Sequence, residues 1–184
     1  QIKECQQLLY AFGIPFIEAS GEADSQCAAI VSSDKNMYGV VSDDIDTLVF
    51  GAGKICKDFS GKHALVTEIN LDGVLNGLLI EANKIRKIKY KQPITQFNYY
   101  NFIDFVSMLE TDYFTGLKNV LLEQVFELFV LNDLDVYEMI SYIQKNNDIY
   151  NINIQDDFIQ KWDDVKKYYT EAEVFNPSHI DKTF

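Results

Sequence analysis

Glu22 and Asp24, and then Asp44 and Asp46, are acids two positions apart, and each pair follows an apolar run that reads as a strand. The runs are Ile14-Pro15-Phe16-Ile17-Glu18-Ala19 and Met37-Tyr38-Gly39-Val40-Val41-Ser42. Strands of a parallel sheet are buried on both faces, and their C-terminal ends open onto the crevice where ligands bind. Acids gathered there repel one another: two unit charges about 4 Å apart cost roughly 4 kcal/mol at an effective dielectric of 20. A hard divalent cation with oxygen ligands removes that cost, so the pattern points to a magnesium site.

Each pair also has a plainer reading. Acids at a helix N-terminus offset the macrodipole, which suits Glu22 and Asp24 equally well. Residues two apart on a regular helix point about 200° apart. Both side chains therefore reach one cluster only if the helix starts between them, or if one acts through water. Asp44 and Asp46 lie on one side of an extended backbone, yet Asp is also a common turn residue. A phosphotransferase of the haloacid-dehalogenase type also uses D-x-D after a strand. It has Thr or Val two positions past the second Asp, whereas Thr47 follows Asp46 directly.

The elements that must position these acids follow from periodicity. Gln1–Phe12 reads as a helix stopped by Gly13 and Pro15. A strand at Pro15–Ala19 leads into a helix whose apolar face is Ala23, Cys27, Ile30 and Val31, and Met37–Ser42 closes a βαβ unit. A strand pair is expected at Lys54–Phe59 and His63–Ile69, turning at Ser60-Gly61-Lys62. Leu71, Val74, Leu75 and Leu78 mark a further helix, followed by a basic run of Lys84, Arg86, Lys87, Lys89 and Lys91. Phe102, Phe105, Val106 and Leu109 mark a helix leading to Asp112. Helices then fill roughly Val120–Val130, Asp135–Lys145 and Gln155–Tyr169.

A chain of 184 residues, 47% hydrophobic and 14% aromatic, can bury a substantial core. No apolar run approaches the roughly 18 residues of a membrane span, and no secretory signal opens the chain. Cys5, Cys27 and Cys56 lack metal-ligand spacing and suit free thiols in an intracellular, reducing compartment. The start at Gln1, inside a helical pattern, suggests part of a longer protein. The net charge of −12 weakens any case for non-specific nucleic-acid binding without excluding a nucleic-acid substrate. It is −7 over residues 113–184 and −5 over residues 1–112, where a bound metal would screen several acids. His63 and His179 show no ligand spacing and read as structural or exposed, and Trp162 reads as core rather than as a base-stacking platform.

Gly13 to Ala28 (GIPFIEASGEADSQCA) resembles the GIPYIEAPGEAEAQCA signature of the flap endonucleases and their XPG-like relatives. Ser42 to Ala52 resembles SEDMDTLTFGA, and Phe102–Phe105 with Met108–Tyr113 resembles FIDLCILLGCDY. Tyr169–Val174 is similar to that family's F-x-E-P-E-V. The likeness runs in order along nearly the whole chain.

The resemblance implies a PIN-like α/β fold, a parallel sheet flanked by helices, over residues 1–113, with a helix-hairpin-like all-helical extension over 114–184. It implies a structure-specific nuclease that cuts branched or flap DNA with two Mg²⁺ ions, Mn²⁺ serving as a substitute. Glu22, Asp24, Asp44, Asp46 and Asp112 then become catalytic metal ligands, direct or through water. The family's other acids, its catalytic basic residues and its helical arch are expected upstream, in an N-terminal half. Three departures qualify this. Glu110 replaces a Gly of the third motif, and the G-x-G turn that holds a phosphate is reduced to Thr115-Gly116-Leu117-Lys118. The basic run sits in an insertion, where Lys84, Arg86, Lys87, Lys89 and Lys91 can contact phosphates in place of, or beside, Gly116 and Lys118; a solvated loop is the other reading. The alternative function is an inactive nuclease-derived module that binds DNA ends or assembles partners.

Overall fold

A computed structural model describes residues 1–59, 65–111 and 114–176 of the protein. The fold is α/β, a small sheet flanked by helices. Helix α1 (Ile2–Ala11) stands at the start and α2 (Ala23–Ser33) follows, then strand β1 (Val40–Val41) and a short α3 (Asp46–Val49). Strands β2 (Lys54–Lys57) and β3 (Thr67–Asn70) come next. β1 pairs with β2 in parallel, in the register Val40 with Ile55, and β2 pairs with β3 antiparallel, Ile55 facing Ile69. The antiparallel pair is the one expected, although its turn at Ser60-Gly61-Lys62 and His63 lie outside the described residues.

No strand forms at Pro15–Ala19, where one was expected. The stretch has no ladder partner among the described residues, and Ile14, Phe16 and Ile17 keep 49%, 42% and 41% of their surface in water. Strand pairing stabilises only when a neighbour supplies the second row of hydrogen bonds, and β1 at the sheet edge carries none on its outer side. The βαβ unit is thus reduced to its helix and second strand, and that strand's ladder shrinks from Met37–Ser42 to two residues.

The remaining helices are α4 (Leu71–Ile88), α5 (Tyr99–Val106), α6 (Leu122–Leu131), α7 (Val136–Lys145), α8 (Asn147–Tyr150) and α9 (Phe158–Thr170). Several start on side-chain caps: the Asn70 amide oxygen accepts from Gly73 N, Asn98 and Asn101 cap each other, and Asp135 accepts from Glu138 N. α5 stops at Val106, short of Asp112, and Thr111 and Phe114 close a turn through reciprocal backbone bonds.

α4 runs straight through Lys84–Lys87 rather than ending before them. Leu71, Val74, Leu75, Leu78, Ala82 and Arg86 share one stripe at helical spacing, and Arg86 continues it into the protein. Arg86 is 6% exposed. Its guanidinium pairs with Asp133 at 2.7 Å and donates to Val130 O at 2.7 Å and to Gln92 O. Lys89 pairs with Glu127 at 2.8 Å, and Lys91 donates to Leu131 O. This lysine-arginine row fastens α4 to α6. Replacing Arg86 by Met keeps the stem but strips two carbonyls of their donor, and is expected to cost about 2–3 kcal/mol. A Tm within 2 °C of wild type, against the roughly 5–10 °C drop this implies, would refute that role.

The larger hydrophobic core runs from Val49 through Phe102, Ile103, Phe105 and Met108 to Phe129, Ile143, Trp162 and Tyr169. It crosses the boundary expected at residue 113. Trp162 Nε1 donates to Asp104 O at 3.1 Å and Lys166 pairs with the Asp104 carboxylate at 2.6 Å, tying α9 to α5. A smaller cluster of Ala28, Val40, Leu48, Ala52 and Ile55 lies between α2, α3 and the sheet. Among the described residues, no helix is long and apolar enough to cross a membrane.

Candidate metal centre

α2 begins at Ala23, between the first two acids. Glu22 is its N-cap with extended backbone (φ −72°, ψ 137°), and Asp24 sits in the first turn. The geometric condition set by their spacing is therefore met. Asp24 Oδ1 accepts from Thr47 Oγ1 at 2.6 Å and from Ser42 Oγ at 3.2 Å. Ser42 Oγ accepts the Asp44 amide at 3.1 Å, and Asp44 Oδ1 accepts the Asp46 amide at 2.9 Å. Asp46 opens α3, and its Oδ2 accepts from the Tyr169 hydroxyl at 3.0 Å.

A continuous hydrogen-bonded relay thus joins Asp24, Ser42, Asp44, Asp46 and Tyr169. The turn role expected of Asp44 is real and coexists with its place in the relay. Glu22 is exposed and lines a separate shallow cleft with Ser25, Tyr168, Glu171 and Glu173. Asp43, outside the predicted set, accepts the Asp58 amide at 2.9 Å and so anchors the end of β2. Asp112 lies outside the described residues, as does His179.

The donor set suits a hard divalent cation, since it consists of carboxylates and hydroxyls without imidazole. Desolvation first, and then the Asp24 charge, push up the thiol pKa of Cys27, one turn beyond Asp24. Among the described residues, no three His, Cys, Asp or Glu side chains lie close enough to hold an ion between them. The acids fit a metal as part of a shell, not as the whole of one.

Sequence spacing found the acids but missed what holds them. Ser42 and Thr47 flank the second acid pair, and a hydroxyl beside a carboxylate is a local signal that a reader can use. Tyr169, 123 residues from Asp46, leaves no such signal. Nor does Gln26, 3% exposed, whose side-chain amide exchanges two hydrogen bonds with the Phe175 backbone and pins the last described stretch over α2.

The predicted nucleic-acid contacts are scattered. Lys84 pairs with Glu81 at 2.6 Å, Lys87 is exposed, and Arg86, Lys89 and Lys91 have the internal partners described above. Glu127 holds the Lys89 ammonium above the usual lysine range through its hydrogen bond. Gly116 and Lys118 lie elsewhere, in a loop where Lys118 bridges to Asn153 and Thr115 accepts from Gln155.

Residues 13–112 match the family described as the XPG I-region, more than half of the 184 residues. The chain belongs to this family. Flap endonuclease 1 of Drosophila sechellia is 29% identical to this XPG I-region chain over 182 residues, covering 97% of the chain and 41% of the relative. That of Drosophila melanogaster is 28% identical with the same coverage. The chain therefore spans about two-fifths of the length of these curated relatives.

Among solved structures, the catalytic core of Rad2 superposes with a TM-score of 0.72 at 25% identity, over 95% of this chain and 60% of that one. The Rad2 core in complex with DNA substrate gives 0.68 at 26%, over 95% and 56%. Flap endonuclease-1 from Methanococcus jannaschii, at 22% identity and a TM-score of 0.66, shares the fold over 95% of this chain and 45% of its own length.

Proposed function

We propose that this XPG I-region chain forms the C-terminal part of a divalent-metal-dependent, structure-specific DNA nuclease. Its substrate would be branched DNA such as a 5′ flap, met in replication, recombination or repair. The observation that carries the reading is the relay itself: three of the five acids singled out by spacing and resemblance share one run of hydrogen bonds. The family match, the Flap endonuclease 1 relatives and the likeness to a Rad2 core bound to DNA support it.

In this reading Asp24, Asp44 and Asp46 hold ions together with Glu22, Asp112 and acids from an N-terminal half. Two Mg²⁺ ions held there, or Mn²⁺ in their place, would lower the pKa of a water and neutralise charge on the attacking and leaving oxygens. The chain's own hydroxyls do the positioning. Ser42 and Thr47 fix one oxygen of Asp24, and the turn from Asp44 to Asp46 sets the spacing of the second pair. The protein works in an intracellular, reducing compartment, where Cys5, Cys27 and Cys56 stay free thiols.

One observation favours the assembly side of the second reading, an inactive DNA-end-binding or assembly module: Arg86, Lys89 and Lys91 are engaged within the protein, which leaves less basic surface for holding phosphates. Incubating the longest natural polypeptide carrying these residues with 5′-flap and plain duplex DNA separates the two. Cutting of the flap in Mg²⁺ and binding without cutting in Ca²⁺ are expected, while residues 1–184 alone bind Mn²⁺ weakly and cut nothing. Binding without cutting in either ion would transfer the assignment to the inactive module.

A further inference from the structure

Tyr169 closes α9, 4% exposed, and its ring is held by aromatic neighbours on two sides: Phe50 at 5.2 Å and Tyr168 at 5.4 Å between centroids. Its hydroxyl reaches Asp46 Oδ2 at 3.0 Å. The F-x-E-P-E-V pattern that Tyr169–Val174 resembles begins with Phe, so packing at this position needs only the ring, and the hydroxyl is an addition. Asp46 is constrained a second time, because its amide is held by Asp44 Oδ1. One carboxylate oxygen and the backbone amide of Asp46 are thus both held by hydrogen bonds.

We propose that Tyr169 is a positioning residue that orients Asp46 for divalent-ion binding, which makes α9 a working part of the acid site. The inference rests on the metal-dependent reading above. A donor that grips one oxygen of a ligating carboxylate lowers the freedom the side chain loses when an ion binds, and such supporting bonds are worth about 10–100-fold in metal affinity. The phenol also brings no charge of its own, so it does not compete with a cation for the site.

The test is Mn²⁺ binding to the longest natural polypeptide that carries these residues, followed by electron paramagnetic resonance of free Mn²⁺, with metal-free melting recorded beside it. Tyr169→Phe keeps the ring and deletes only the hydroxyl. Tyr99→Phe is the structural control: Tyr99 also gives up a hydrogen bond, to Val49 O at 2.6 Å at the far end of α3, and its hydroxyl bonds to none of the described acids of the site. Asp46→Asn reports on the site itself. Tyr169→Phe is expected to weaken Mn²⁺ binding about tenfold, with Tyr99→Phe binding as wild type does. Wild-type affinity in Tyr169→Phe, alongside loss in Asp46→Asn, overturns the positioning role and leaves the site standing. An equal loss in Tyr99→Phe overturns it too, as a general loosening around α3. Equal binding by Asp46→Asn and wild type, or no binding by either, removes the site and the proposal together.

Discussion

Asp44→Asn, made in the longest natural polypeptide that carries these residues, is expected to reduce Mg²⁺-dependent flap cleavage at least about a hundredfold while leaving melting within roughly 2 °C of wild type. The separation of the two effects follows from the geometry. Asp44 uses Oδ1 to accept the Asp46 amide, and Asn presents an equivalent carbonyl oxygen there, so the turn into α3 survives. The negative charge does not survive, and charge is what a hard cation requires of its ligand. Cleavage rate and melting temperature measured on the same preparation decide the matter. Undiminished cutting would take Asp44 out of the site, and a collapsed melting curve would show that the turn needs the charge.

Gly116→Val is expected to be the most damaging single change to the fold, costing about 3–5 kcal/mol through left-handed backbone strain and overpacking together. Gly116 has φ +61°, and a Cβ built there would lie 2.7 Å from Leu109 C, 2.8 Å from Glu110 N and 2.9 Å from Met108 O. These are backbone atoms with no side chain to swing away. The turn is held from the same side by Leu117 N donating to Met108 O at 3.3 Å. Chemical denaturation should show the midpoint falling with little change in slope. Near-native stability would mean that segment 108–118 can re-form elsewhere. The glycine that the motif resemblance makes a candidate phosphate contact is thus also required by packing, so lost activity in any Gly116 variant has to be corrected for lost fold.

Much of the helical framework was legible because one face of each helix had to be apolar. Gln1–Phe12, Asp135–Lys145 and Gln155–Tyr169 are recovered as α1, α7 and α9 with ends shifted by a few residues. The Pro15–Ala19 run shows where that logic stops: an apolar stretch states a preference for burial, and only a neighbouring strand can satisfy it. Arg86 shows the same limit for charge. Counted along the chain it belongs to a basic run, but Asp133 and Val130, more than forty residues on, convert it into a buried fastening. The acids at Glu22, Asp24, Asp44 and Asp46 were visible from spacing, whereas the Tyr169 hydroxyl that grips Asp46 from 123 residues away was not.

The shared core of α5 with α6, α7 and α9 has a practical outcome for anyone building chimaeras from this lineage. Phe105 stacks on Phe129 at 6.1 Å, and Trp162 reaches Asp104 across the point where the motifs would suggest a cut. Grafting a foreign tail after residue 113 would replace one half of a jigsaw whose other half carries the acids. Donor and recipient segments would have to be exchanged with their facing aromatics, or the hybrid would lose its folded acid site before its substrate preference could be compared.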